Sequence, residues 1–157
     1  MSGLTRVLAL VLLMFGSSLP SEQTTATRAG KADLVVTRVG PAPERAAAGG
    51  SLRLSARVEN RGAGRAGRST NYYFLSLNLR KDPGDVRLVG RMRVPALGPG
   101  ERFVRRVHLI VPAAVPGGSY YVVTCAEGTR RISERHESNN CRASAQRVRV
   151  TAPEAIG

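Results

Sequence analysis

The amino-acid sequence predicts an all-β fold: an antiparallel β-sandwich of seven strands, preceded by a signal peptide. Three observations carry this. Apolar residues recur with period 2 over short segments from Asp33 onward, the spacing that gives a strand one core face and one wet face. Turn residues punctuate these segments about every ten positions, as in a sandwich of short strands; the chain carries 17 Gly and 9 Pro in 157 residues. No segment after the leader has convincing helical periodicity.

Residues 1–15 read MSGLTRVLALVLLMF, in which Arg6 precedes an unbroken apolar run from Val7 to Phe15; Gly16, Ser17, Ser18 and Pro20 follow. A charge, an apolar run and small residues in that order make a secretory signal. A membrane span needs roughly 20 apolar residues, so cleavage is expected instead, after Ser18 or near Ala26–Ala29. The expected organisation is signal and start of leader over 1–29, flexible leader over 30–32, one sandwich domain over 33–151 and a tail over 152–157. The expected location is secreted or periplasmic, with no transmembrane span after cleavage.

The strands follow in order. Leu34, Val36 and Val39 make the first, stopped by Gly40-Pro41-Ala42-Pro43. Residues 51–59 alternate cleanly, with Leu52, Leu54, Ala56 and Val58 on one face and Arg53 and Arg57 on the other, until Asn60-Arg61-Gly62 ends the run. Residues 70–79 form the third strand, closed by Asp82-Pro83-Gly84-Asp85, where Pro sets φ and Gly allows positive φ. Residues 86–94 give an arginine-studded fourth strand. Residues 102–111 give the fifth, with Phe103, Val107, Leu109 and Val111 inward, Arg106 and His108 outward, and Arg105 out of pattern. Tyr120 to Cys125 is the sixth. Cys141 to Val150 holds the seventh, with Val148 and Val150 inward and Arg147 and Arg149 outward. A chain of this length forms one domain, and with 4% aromatic residues and no Trp its core is aliphatic.

The two cysteines exclude a disulfide-packed miniprotein. Cys125 ends the sixth strand and Cys141 starts the seventh, so antiparallel neighbours would bring them within reach of a disulfide. Free buried thiols, or a metal site with His136, are the alternatives. The intervening stretch EGTRRISERHESNNC carries Glu134, Glu137, Asn139 and Asn140. These could be oxygen ligands for calcium with Asp82 or Asp85. The favoured reading is a structured turn, in which Asn side chains cap backbone groups and the carboxylates pair with Arg130, Arg131 and Arg135. No metal and no cofactor are expected.

Several short motifs run in order along the chain: Asp33-Leu34-Val35-Val36, Gly50, Val58-Glu59-Asn60-Arg61-Gly62, Tyr72-Tyr73-Phe74-Leu75-Ser76, Gly84-Asp85, and Pro95-Ala96-Leu97-Gly98-Pro99-Gly100. Val111-Pro112, Gly118-Ser119-Tyr120-Tyr121, and Glu134 with Glu137-Ser138-Asn139-Asn140-Cys141 complete the series. In this order they resemble the motifs of the CARDB family (cell adhesion related domain found in bacteria). Glu127 stands where the family usually has Asp. The resemblance implies an immunoglobulin-like or fibronectin-type sandwich in exported bacterial proteins, and brings no catalytic residues with it.

No enzyme is expected. His136 lies near Ser133 and Ser138, but a triad needs an oriented base and an oxyanion hole, and neither a nucleophile elbow nor a zinc or phosphate motif occurs. Charge is the remaining signal: 24 Lys plus Arg against 11 Asp plus Glu give +13. All but Lys31 and Lys81 are arginines, and removing residues 1–29 takes away only Arg6, Arg28 and Glu22. Strand phasing turns Arg53, Arg57, Arg87, Arg91, Arg93, Arg102, Arg106, Arg147 and Arg149 outward. Such a surface suits an acidic polymer, an acidic glycan or DNA, although a solvated face with a compositional arginine bias would look the same. Sequence-specific nucleic-acid reading is not expected, because aromatic platforms are limited to Tyr72 and Tyr73. The expected function is a secreted, non-catalytic binding or adhesion-type module for an extracellular protein or glycan. A structural subunit of an exported complex and a polyanion binder are the alternatives.

Overall fold

The computed structural model describes residues 30–129 and 131–152. The signal peptide, most of the leader, Arg130 and the end of the tail lie outside them. The strands are β1 (Leu34–Val39), β2 (Arg45–Ala47), β3 (Ser51–Asn60), β4 (Ser69–Ser76), β5 (Val86–Arg87), β6 (Met92–Val94), β7 (Arg102–Ile110), β8 (Gly118–Cys125) and β9 (Cys141–Thr151). One sheet has the order β1-β3-β7; the other runs β2-β9-β8-β4-β5, with β6 also on β4. Alternation built the long strands as read. Leu52, Leu54, Ala56 and Val58 of β3 and Val107 and Leu109 of β7 face Tyr73, Leu75, Val122, Val148 and Val150 across one aliphatic core.

Three details depart from seven antiparallel strands. The third strand stops at Ser76 rather than at residue 79, because Ser76 and Asn78 turn their side chains onto the backbone: Ser76 Oγ donates to Arg80 O at 3.0 Å and Arg80 N donates to Asn78 Oδ1 at 2.7 Å. Leu77 and Leu79 are thereby left 70% and 61% exposed. A short β2 pairs in parallel with the end of β9, Ala46 opposite Val150. Its Arg-Ala-Ala sequence is too short and too weakly apolar to announce a strand.

The fourth strand is broken. Its register on β4 passes from Phe74↔Arg87 to Asn71↔Met92, so the chain bulges between β5 and β6. There Val89 leaves β4 and exchanges two 2.9 Å hydrogen bonds with Ile110 of the other sheet. Gly90 makes the bulge possible: its φ is 123°, and a Cβ there would press on Leu109 and the His108 carbonyl. A sequence of alternating Val, Leu and Arg cannot signal this switch between sheets, since both partners demand the same period.

Candidate functional site

One end of the sandwich is held by a polar network built on the motif residues. Asn60, fully buried at the end of β3, accepts from Asp33 N and Gly62 N and donates to Gly64 O and Leu97 O. Glu134 takes Leu34 N at 2.6 Å on one oxygen and the Asn140 amide on the other. Asp33 receives Asn139 Nδ2 at 2.9 Å and lies 3.2 Å from His136 Nδ1. Glu137 accepts from Glu134 N. Glu127, at φ 46°, accepts from Thr129 Oγ1 and Arg131 N.

Glu134, Glu137, Asn139 and Asn140 are thus parts of a turn that fastens the β8–β9 loop onto β1. The expected carboxylate–arginine pairs do not form with Arg131 or Arg135; the carboxylates meet backbone N–H groups and amides instead. The reason is burial: Glu127 and Glu134 lie inside the fold, where a rigid N–H replaces lost water better than a flexible surface cation. Among the described residues no three His, Cys, Asp or Glu side chains are grouped to hold a metal ion.

Burial pushes the Glu134 carboxyl above its ordinary value; nearby Glu137 and Glu127 push the same way, while Leu34 N and Asn140 pull it down. A raised folded-state pKa means that the folded chain keeps its proton where the unfolded chain has lost it. Stability therefore falls as pH rises through the window just above the ordinary carboxylate range. In Glu134→Gln this contribution disappears: the amide still accepts from Leu34 N and can offer its NH2 to Asn140 Oδ1, which has no partner. Unfolding free energies measured across that window should fall with pH more steeply in the native chain than in the variant, and parallel curves would contradict the assignment.

The expected disulfide is present between Cys125 and Cys141, which face each other directly across β8 and β9 with their Cα atoms 4.0 Å apart. On the outer face of this larger sheet, Arg87 covers Tyr72 at 3.7 Å, Lys81 covers Phe74 at 4.4 Å and Arg147 covers Tyr121 at 4.7 Å. Tyr73, read as a possible platform beside Tyr72, points into the core and is fully buried. Lys81, Arg87 and Arg147 therefore belong to a cation-on-aromatic surface, each such contact contributing about 0.5–1 kcal/mol where exposed, while Arg149 is exposed on β9 opposite Ser119.

The other predicted arginines lie elsewhere. On the outer face of the three-stranded sheet, β3 sets Arg53 opposite His108, Ser55 opposite Arg106 and Arg57 opposite Val104. β1 adds Arg38 directly opposite Arg57, and Glu59 sits opposite Arg102. Like charges opposite one another cost stability, yet the one carboxylate on this face, Glu59, lies 3.6 Å from Arg61. No other arginine among the described residues has a carboxylate within 4.0 Å. Arg57 Nε is buried without a partner. Arg91 and Arg93 stand at the rim beside Arg105 and Arg106. The predicted arginines thus divide between two opposite faces and a rim. Arg38 and Arg105 were missed, since neither falls on an outward position of a regular strand: a register shift after Val36 turns Arg38 out, and Arg105 is inward-phased.

No curated protein matches the chain. The CARDB domain of a Pyrococcus furiosus protein, solved in complex with di-metal ions, is 19% identical, with a TM-score of 0.51 over 77% of this chain and 90% of that one. A domain of a protein assigned to the cell surface of Methanosarcina acetivorans is 16% identical, with a TM-score of 0.52 over 81% of this chain and 99% of that one. Both likenesses support the fold. Among the described residues no helix is long and apolar enough to cross a membrane. The CARDB family model matches residues 31–144, from just before β1 through the Glu134–Asn140 turn and into β9, and this chain belongs to that family.

Proposed function

We propose that this chain is a non-catalytic binding module that works outside the cytoplasm and docks on acidic polymers of the cell surface. The contact surface is the outer face of β1, β3 and β7. The observation that supports this most directly is the set Arg38, Arg53, Arg57, Arg102 and Arg106 on one sheet face, with Glu59 the only acid among them and already beside Arg61. Guanidinium groups held on strands keep a fixed spacing and suit phosphate, sulfate and carboxylate. Retention on a heparin column is expected to fall steeply with salt. The Arg53→Gln/Arg57→Gln variant should elute earlier, with the salt slope reduced by about two. Retention that ignores salt, or a variant that elutes with the native chain, would count against this face.

A second reading, an accessory subunit with a protein partner, is favoured by Leu77 and Leu79, which a hydrogen-bonded loop holds out in water. In that case Leu77→Ser/Leu79→Ser abolishes co-purification with an exported partner while leaving heparin retention intact. Co-purification that survives the change removes this reading.

A further inference from the structure

The rim between the two sheets differs from the flat arginine face. After the Gly90 bulge, Met92 and Val94 are anchored in the core, so Arg91 and Arg93 point away from it. On the facing edge Val107 and Leu109 are anchored likewise, leaving Arg106 and His108 exposed where the outer face meets the rim, and Arg105 is exposed there despite its inward phase. Together Arg91, Arg93, Arg105, Arg106, Val107 and His108 line a groove of about 440 Å³. No carboxylate lines it, and among the described residues none of its arginines has a carboxylate within 4.0 Å. Cations gathered from two sheets in one concavity repel one another, and the walls concentrate their field.

We propose that this groove is a binding site for a tetrahedral oxyanion, a phosphate or sulfate ester carried on an acidic polymer. The inference rests on the reading of the chain as a polymer binder and narrows it to one subsite and one chemistry. A planar guanidinium offers paired N–H donors that fit an oxyanion bidentately, which an ammonium cannot do. With four arginines around one groove, the three free oxygens of a phosphate monoester or sulfate ester can accept from several of them at once, where a carboxylate has only two. Arg105 strengthens the case. It occupies an inward-phased position of β7, opposite buried Ala56, and its long side chain turns out to the groove instead. An inward-phased charge on an edge strand also guards against edge-to-edge pairing. That role needs one charge at the edge, whereas here arginines approach the same space from two sheets.

The test is an NMR titration of the chain with inorganic phosphate, inorganic sulfate and acetate, observing arginine Nε–H and backbone amides. Phosphate and sulfate should give saturable shifts at Arg91, Arg93, Arg105 and Arg106 at concentrations that leave Arg38 and Arg53 unmoved, with acetate much weaker. Arg93→Gln/Arg105→Gln should weaken the anion about tenfold per guanidinium removed. Competition by dextran phosphate or by dextran sulfate separates the two ester sources. Shifts that appear first on the sheet face, or equally with acetate, overturn the groove and leave it an edge guard. Heparin retention that still depends on Arg53 and Arg57 would then show the broader reading standing alone. A saturable groove with retention indifferent to Arg53 and Arg57 would instead remove the sheet face and keep the groove.

Discussion

Replacing Asn60 by alanine is expected to lower the unfolding free energy by about 4 kcal/mol, a drop in Tm on the order of 15 °C for a domain of this size. The side chain is fully buried and makes four hydrogen bonds, all to backbone. Alanine leaves two N–H groups and two carbonyls without that partner, and a stranded buried polar group costs about 1–3 kcal/mol. The losses do not add fully, because the sites share one segment and relax together. Relaxation is limited here, since the chain near Lys31 passes directly over Gly62, where a Cβ would collide with the Lys31 carbonyl. Asn60→Asp makes the argument sharper. The carboxylate would still accept from Asp33 N and Gly62 N, but it sets an oxygen against Gly64 O and Leu97 O. It should therefore be at least as harmful as alanine near neutral pH. Chemical denaturation of both variants measures this; a loss below about 1 kcal/mol for either would show that the network contributes little.

The same residue shows where sequence reading reaches its limit. As a letter, Asn60 ends a strand and precedes glycine, which reads as a turn. That its amide ties the adjoining Gly62–Gly64 loop to two distant stretches of backbone, at Asp33 and Leu97, is a three-dimensional fact with no local signature. The long strands were legible because burial on one face imposes period 2: β3 obeys it throughout and β7 from Arg106 onward, while β8, covered on both faces, buries Val122 to Cys125 without a break. What was not legible depended on partner choice. The bulge at Gly90 sends Val89 to one sheet and Met92 to the other, while the run from Val86 to Val94 looks like a single strand. β2 has too few residues to show a period at all.

The surface followed the same rule. Phasing correctly turned Arg53, Arg57, Arg106, Arg147 and Arg149 out of the core, but it assigns a side chain to a face of its own strand and not to a sheet. Sheet order decides which arginines meet. It puts Arg53 beside His108, sends Arg87 onto Tyr72 on the opposite side, and gathers Arg91, Arg93 and Arg105 at a rim. The Glu134–Asn140 turn was recognisable as a turn because Asn and Glu at that density favour local capping. Its anchoring to β1 through Leu34 N and Asp33 spans a long sequence separation, and so had no signal in the loop itself.

Removing the Cys125–Cys141 bridge, by reductant or as Cys125→Ala/Cys141→Ala, is expected to lower stability by about 3 kcal/mol without changing the fold. The cross-link joins residues 16 apart, and in the chain-entropy account its effect lies in the unfolded ensemble, which it deprives of loop conformations. Nothing in the folded state requires it for register. Thr124 still pairs with Arg142 and Val123 with Ala143, and Ser144 Oγ still accepts from Val122 N at 3.0 Å. The enclosed loop is also fixed independently, since Glu134 and Asn139 reach β1 through Leu34 N and Asp33. The reduced chain should therefore keep its near-native spectrum and its heparin retention while its denaturant midpoint moves down. Two outcomes would overturn this account. An unchanged midpoint would mean that the unfolded chain gains nothing when the link is cut. A loss of native spectrum in dilute buffer would mean that the Glu134 and Asp33 contacts cannot hold the loop, and that the bridge itself sets the geometry of the motif.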